Sequence, residues 1–157
     1  MDPRTQFYNQ VDIFLENFRD YHAWSIRKDK KNDIIILIPP EWFLHSQYNG
    51  VNFQFTLNTN GELVFSIGVE KPISLEIRES FKVKLRQIIS DKGLFETIFA
   101  GFSINVNRRG KFIKKAMPLL SDSGNIMLGY IERSIVLIPD VEGLIDEFKR
   151  NGKLNLN

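Results

Sequence analysis

The most regular pattern in this chain is an alternation of apolar and polar residues over positions 51–57, which resumes over positions 63–69. Because successive side chains of a strand point to opposite faces, each segment presents one apolar and one polar face. Thr59-Asn60-Gly61 separates the segments, and an Asn-Gly pair readily adopts the positive φ angles of a tight turn. The sequence therefore predicts a β-hairpin over residues 51–70, around which the remaining elements are arranged.

Three other segments have apolar residues spaced three or four positions apart, the pattern of an amphipathic helix. We expect the first helix to begin at Pro3, capped by Asp2, and to cover the core. The second is predicted from an N-cap at Ser74 to Lys92, followed by Gly93, and the third over residues 140–150. The three predicted stripes are Phe7, Val11, Phe14, Phe18 and Tyr21; Ile77, Phe81, Leu85, Ile88 and Ile89; and Val141, Leu144, Ile145 and Phe148.

Shorter apolar or alternating runs predict further strands, at residues 24–28, 33–38, 98–106, 111–117 and 135–138. The run over 34–38 is uninterrupted and mostly β-branched, which indicates a central strand buried on both faces. Residues 41–45 are expected to form one helical turn, and residues 121–125 a loop. This order of elements predicts an α+β fold, a mainly antiparallel sheet built around the hairpin with its helices packed on one face.

The length and composition of the chain indicate the class of protein. A chain of 157 residues is the size of one domain, which we place at residues 1–152, with 153–157 expected to be a frayed tail. The 13 phenylalanines predict a core of large rings. The chain has no cysteine, which excludes disulfides and thiolate sites. Its apolar runs are shorter than the roughly 18 residues of a membrane helix, so we expect a cytoplasmic protein without membrane association.

The signatures of the common enzyme classes are missing. The sequence has no phosphate-binding G-x-x-x-x-G-K-[ST], no G-x-G-x-x-G, no G-x-S-x-G and no H-E-x-x-H. Its two histidines, His22 and His45, are too far apart in sequence to form a local metal pair. We therefore predict no catalytic residue, no cofactor and no metal ligand, and expect that the protein is not an enzyme.

One string resembles a nuclease motif. Pro139-Asp140 followed by Glu147-Phe148-Lys149 is similar to the P-D…E-x-K pattern of a class of metal-dependent nucleases. In that class the acids lie on adjacent strands and share a divalent ion. Here the intervening apolar residues have helical spacing, which is typical of a surface helix and does not favour the nuclease interpretation.

Positive charge is concentrated in one part of the chain. Residues 78–115 contain ten Lys and Arg against three Asp and Glu, although the whole chain has a net charge of only +2. Such segregation is typical of a solvated edge strand protected by lysines, or of a site for an anionic partner in which arginines bind phosphates and a ring stacks on a base. The candidate partner-binding residues are Arg108, Arg109, Lys111, Phe112, Lys114 and Lys115.

We therefore expect a non-enzymatic interaction protein, such as a small accessory, inhibitor or immunity-type factor that acts by occupying a macromolecular partner. The alternative is a nucleic-acid-binding or nucleic-acid-processing domain that uses the basic strip over residues 108–115. An enzyme whose carboxylates converge from distant positions stays open, because sequence spacing does not report spatial convergence. The sequence alone does not choose between protein and nucleic acid, and it leaves the oligomeric state open.

Overall fold

The computed structural model describes residues 1–44 and 50–154, which form a six-stranded antiparallel sheet and four α-helices. The α+β prediction is therefore confirmed. The strands lie in the order β1-β2-β3-β4-β6-β5. Their bounds are β1 Ser25–Asp29, β2 Ile34–Ile38, β3 Val51–Leu57, β4 Leu63–Val69, β5 Ser103–Ile104 and β6 Ile113–Met117.

The helices are α1 Pro3–Asn17, α2 Leu75–Asp91, α3 Ser123–Ser134 and α4 Ile138–Arg150, with short 3₁₀ turns at Pro40–Trp42, Leu94–Glu96 and Ile135–Leu137. Asp2 caps α1, its Oδ1 accepting a hydrogen bond of 3.0 Å from the Thr5 amide. After α2, Gly93 takes the left-handed conformation with φ 69°, as predicted for a residue just beyond a helix.

The predicted hairpin is the centre of the sheet. β3 and β4 pair antiparallel along their whole length, with Phe55 opposite Phe65. The connecting turn differs from the prediction, because only Gly61 of the Asn-Gly pair has a positive φ, of 76°. The turn is closed by a 3.0 Å hydrogen bond from the Asn58 amide to the Glu62 carbonyl, so it is a longer loop than a two-residue turn. The strand β2 beside it is buried on both faces from Ile35 to Ile38, as expected.

Large aromatic rings fill the inner face of the hairpin. Phe14 of α1 lies 5.4 Å from Phe55, and Tyr130 of α3 lies 5.2 Å from Phe65, measured between ring centroids. These contacts place α1 and α3 on the same side of the sheet. The core is therefore a layer of rings between the central hairpin and the helices.

The same side also carries the other two helices. Trp42 packs against Phe53 with centroids 4.7 Å apart, and its Nε1 donates to the Ile138 carbonyl at the start of α4. α2 in turn packs on α4 through Phe81 and Phe148, whose centroids are 5.1 Å apart. The prediction that the helices lie on one face is thus confirmed.

α1 is also tied to the turn between β1 and β2. The Tyr8 hydroxyl and Arg4 Nε both donate to Asp33 Oδ1, each at 2.9 Å. Burial and the hydrogen bond to Asp33 together raise the pKa of Tyr8 to about 12, because both disfavour the phenolate.

Three sequence predictions are wrong. Only Ser103–Ile104 of the strand predicted over 98–106 is extended, because residues 97–101 fold into turns that include Gly101 at φ 79°. The loop predicted at 121–125 and the strand at 135–138 are also wrong, since this segment forms α3, a 3₁₀ turn and the start of α4. A tertiary contact favours the helix α3 over the predicted loop, because Gly124 lies against α1, where its amide donates to Gln10 Oε1 at 2.8 Å.

Two predicted segments reach residues outside the described ranges. In the helical turn expected over 41–45, Pro40–Trp42 forms a 3₁₀ turn and Phe43 follows it, whereas His45 lies outside the described residues. In the expected tail, the amides of Lys153 and Leu154 both donate to the Phe148 carbonyl, and Leu154 is buried. Residues 155–157 lie outside the described part.

Candidate functional site

The structure separates the residues of the predicted basic strip. On β6, Lys115 pairs with Phe65 and therefore faces the inner side of the sheet, whereas Lys114 pairs with Ser66 and faces the outer side. Phe112 is fully buried. The proposal that its ring stacks on a base is wrong for this reason, because a ring enclosed by the core presents no face to a ligand.

Part of the positive charge predicted from the sequence is compensated by α4. Lys84 pairs with Glu147 at 2.9 Å, and Lys92 pairs with Asp140 at 2.8 Å. The salt bridge with Lys84 is the main cause that lowers the pKa of Glu147. The two acids of the nuclease-like string thus lie on one helix, as their helical spacing indicated, and they pair with a lysine of α2 and with the lysine that follows it.

Lys111 is held in a network at the end of the hairpin. Its Nζ lies 2.5 Å from Glu70 Oε1, which also accepts a 3.0 Å hydrogen bond from Gln54 Nε2. Gln54 Nε2 donates to Asn52 Oδ1 at 2.7 Å as well. Gly68 lies beneath the network, since an alanine Cβ there would approach Asn52 Oδ1 and Gln54 Nε2 to 3.0 Å. Lys111 therefore has a structural partner within the chain.

A buried lysine organises the loop that carries the arginines. Lys82 of α2 is fully buried, and its Nζ donates to the carbonyls of Asn107 at 2.7 Å and Gly110 at 3.0 Å. These two carbonyls flank Arg108 and Arg109 in the chain. We call residues 105–110 the clamped loop, because the ammonium group holds it on both sides of its two-residue tip.

Side chains within the clamped loop fix it further. Asn105 Nδ2 donates to the Arg109 carbonyl at 3.2 Å, and Asn105 Oδ1 accepts a 2.8 Å hydrogen bond from the Asn107 amide. Gly110 has φ 88°, and an alanine Cβ there would lie 2.9 Å from Asn105 Nδ2. The loop backbone is therefore fixed by two side chains and by a glycine that no other residue replaces without strain.

The lysine clamp has an electrostatic cost. Burial is the main cause that lowers the pKa of Lys82, and the nearby positive charges of Arg78 and Lys111 act in the same direction. Glu70 acts in the opposite direction. The Lys82 ammonium binds two carbonyls and, within residues 1–44 and 50–154, no carboxylate, so it recovers only part of its lost hydration.

The tip of the clamped loop is exposed. Arg108 lies 3.8 Å from Glu79, a separation at which both side chains stay more than half exposed. Arg109 is exposed, and its guanidinium has no ion-pair or hydrogen-bond partner within the described part of the chain. Of the six sequence-predicted residues, the structure thus brings together only Arg108 and Arg109 as an exposed pair, while Lys114 lies on the outer sheet face.

Sequence reasoning missed two features of this region. Lys82 contacts carbonyls 25 and 28 residues away, and nothing local to it in the sequence indicates these contacts. Lys115 lies with its Nζ 5.7 Å from the centroid of Phe102, in a cleft that also contains residues of α3. Neither contact has a signal in the linear sequence.

Within residues 1–44 and 50–154, no three His, Asp or Glu side chains converge as a metal-binding group. None of the helices there combines the length and the hydropathy needed to cross a membrane. Comparison of the chain with protein-family models, curated protein sequences and solved structures finds no match.

Proposed function

We propose that the protein is a non-enzymatic interaction protein that occupies a macromolecular partner, and that the clamped loop is its contact element. The observation that supports this proposal is the Lys82 clamp, which fixes the backbone on both sides of Arg108 and Arg109. A preformed loop loses little conformational entropy when it binds, so more of the contact energy appears as affinity.

The favoured partner is an acidic protein surface. Two exposed arginines can each bind a carboxylate through two parallel hydrogen bonds, which gives geometric specificity. Phe112 is buried, so the loop offers no ring for stacking beside these arginines, and contacts to nucleic acid would be limited to phosphates. In this proposal the protein acts as a cytoplasmic accessory, inhibitor or immunity-type factor.

The test is chemical crosslinking in the native cell, followed by mass spectrometry, with the parent chain and two charge-matched variants. Arg108→Ala/Arg109→Ala removes the loop cations. Lys30→Ala/Lys31→Ala removes two exposed neighbouring cations from the turn between β1 and β2, at the opposite edge of the sheet. We expect the protein crosslinked to the parent to be lost with the loop variant and retained with the control.

Equal crosslinking of the loop variant and the parent would refute the proposal. Nucleic acid is examined separately by titrating duplex DNA at several salt concentrations, where each phosphate contact contributes about −0.9 to the log-log slope. A slope that becomes less negative by about 2 in the loop variant would identify nucleic acid as the partner instead.

Lys82→Met separates positioning from charge. Methionine has a similar length and volume, so the core is expected to tolerate it, while the two loop carbonyls lose their donor. We expect weaker crosslinking although both arginines are present, with an unchanged far-UV circular dichroism spectrum. Unchanged crosslinking would show that the clamp has no part in binding.

A further inference from the structure

Two further cations, Lys115 and Arg133, lie together away from the clamped loop. The end of β6, the segment before β5 and the helix α3 together enclose a cleft of about 410 Å³. We call it the cation–aromatic cleft. It is lined by Thr97, Ile98, Ala100, Phe102, Lys115, Tyr130 and Arg133.

Both cations of the cleft lie over aromatic rings. Lys115 Nζ is 5.7 Å from the centroid of Phe102, and Arg133 Cζ is 4.9 Å from the centroid of Tyr130. The two rings contact each other edge to face at 6.0 Å. Tyr130 also stacks on Phe65 of the core at 5.2 Å, which fixes the position of its ring. The aromatic faces hold the cations in place without neutralising them.

The charged groups of the cleft are both cations, and the Tyr130 and Thr97 hydroxyls are its other polar side-chain groups. The Lys115 ammonium, the Arg133 guanidinium and the Tyr130 hydroxyl have no hydrogen-bond or ion-pair partner within the described residues. Among the residues that the structure describes, no carboxylate lines the cleft. Two cations without an acidic partner match an oxyanion, since each oxygen of such a group accepts several hydrogen bonds.

Apart from Thr97, whose Oγ1 donates to the Gly93 carbonyl at 3.2 Å, the remaining walls are apolar. Ile98 and Ala100 line the cleft next to Phe102. The volume falls within the range of ligand sites of small molecules, which combine apolar walls with a few placed polar groups. A bare inorganic ion would leave these walls in contact with water.

We propose that the cation–aromatic cleft binds an oxyanion carried on an apolar body, such as an aryl or alkyl phosphate or carboxylate. Lys115 and Arg133 bind the charged group, the Tyr130 hydroxyl donates to it, and the apolar body lies on Ile98 and Ala100. This site is separate from the clamped loop and does not depend on the function proposed for that loop.

The test uses phenyl phosphate as the probe, with binding followed by isothermal titration calorimetry and by amide chemical shifts in NMR. We expect a Kd below about 1 mM, with shifts centred on α3 and β6. Lys115→Gln and Arg133→Gln should each weaken binding about tenfold or more, because each removes a charge-assisted hydrogen bond. Lys114→Gln is the matched control, since Lys114 is the neighbouring lysine on the opposite face, and it should leave the Kd unchanged.

Further probes define the chemical class. If benzoate binds as tightly as phenyl phosphate, the charged group of the ligand is a carboxylate. If phenyl phosphate binds more tightly, the ligand is a phosphate monoester. Benzyl alcohol tests the apolar body alone and is expected not to bind. No binding of phenyl phosphate, an equal loss in Lys114→Gln, or equal binding of benzyl alcohol or inorganic phosphate would each overturn the proposal.

Discussion

Replacing Gly124 by alanine is expected to destabilise the protein, although alanine is the better helix former. Gly124 lies in the first turn of α3, in contact with α1. An added Cβ would lie 2.8 Å from the Gln10 carbonyl oxygen and 2.9 Å from Ile13 Cγ2. The carbonyl belongs to the backbone of α1 and cannot rotate away, so one helix must move.

The magnitude follows from two opposing effects. Overpacking of a tight contact costs about 1–3 kcal/mol. The gain in helix propensity from Gly to Ala is at most about 1 kcal/mol in a helix interior and smaller in a first turn. We therefore expect Gly124→Ala to lower the free energy of unfolding by about 1–2 kcal/mol.

Gly143→Ala is the matched control. Gly143 lies in the interior of α4, it is exposed, and an added Cβ would have no neighbour within 4 Å. Helix propensity then acts alone, and the free energy of unfolding should rise by about 0.5–1 kcal/mol. Urea denaturation followed by circular dichroism measures both variants. If Gly124→Ala proved as stabilising as Gly143→Ala, the close approach of α1 and α3 would be refuted.

Two other predictions concern the core and the tether of α1. Phe65→Ala should lower the free energy of unfolding by about 3–5 kcal/mol, because the ring is fully buried between β3 and α3, and a melting temperature unchanged within about a degree would contradict this position. The pKa of the Tyr8 hydroxyl is about 12 in the folded protein and about 10 in the unfolded chain. Between pH 10 and pH 12 the folded state therefore keeps a proton that the unfolded chain loses. The stabilisation from Tyr8 is therefore present below pH 10 and is lost as the pH rises towards 12. In Tyr8→Phe this alkaline loss should be smaller than in the parent when urea unfolding is compared across that range, and an equal loss would exclude Tyr8 as its source.

The parts of the fold with a strict local period could be predicted from the sequence. The alternation in β3 and β4 reports the two faces of the hairpin directly, because the period of a strand is two. The stripe from Phe81 to Ile89 reports the buried side of α2 in the same way. Most of the apolar residues that define these patterns are buried, but the structure also buries Asn52, Gln54 and Lys82, which the patterns assign to the polar side.

The segment around α3 could not be predicted in this way. Its sequence combines Ser121, Ser123 and Gly124 with a β-branched run at Ile135 and Val136, a composition that favours a loop and a strand. The helix forms because its apolar side packs on α1 and on the ring of Phe65, a contact between residues far apart in the chain. Intrinsic propensity is weaker than such packing, so the local signal was wrong.

The candidate sites depend on long-range contacts even more strongly. The charge count over residues 78–115 gives no sign of the acids on α4 that neutralise Lys84 and Lys92. The alternation of β6 could have separated Lys114 from Lys115, since neighbours in a strand face opposite sides. Lys115 and Arg133 share one cleft because of where α3 lies, and that position could not be predicted from the sequence.

The two tryptophans give the protein a built-in optical reporter of its central layer. Trp24 and Trp42 are both buried, and their rings lie 5.9 and 4.7 Å from the ring of Phe53. Their fluorescence therefore follows the packing around one residue of β3, whereas far-UV circular dichroism follows mainly the helices. If the two signals change at the same urea concentration, the hairpin and its helical cover unfold as one cooperative unit; if they separate, an intermediate is populated in which one layer persists without the other.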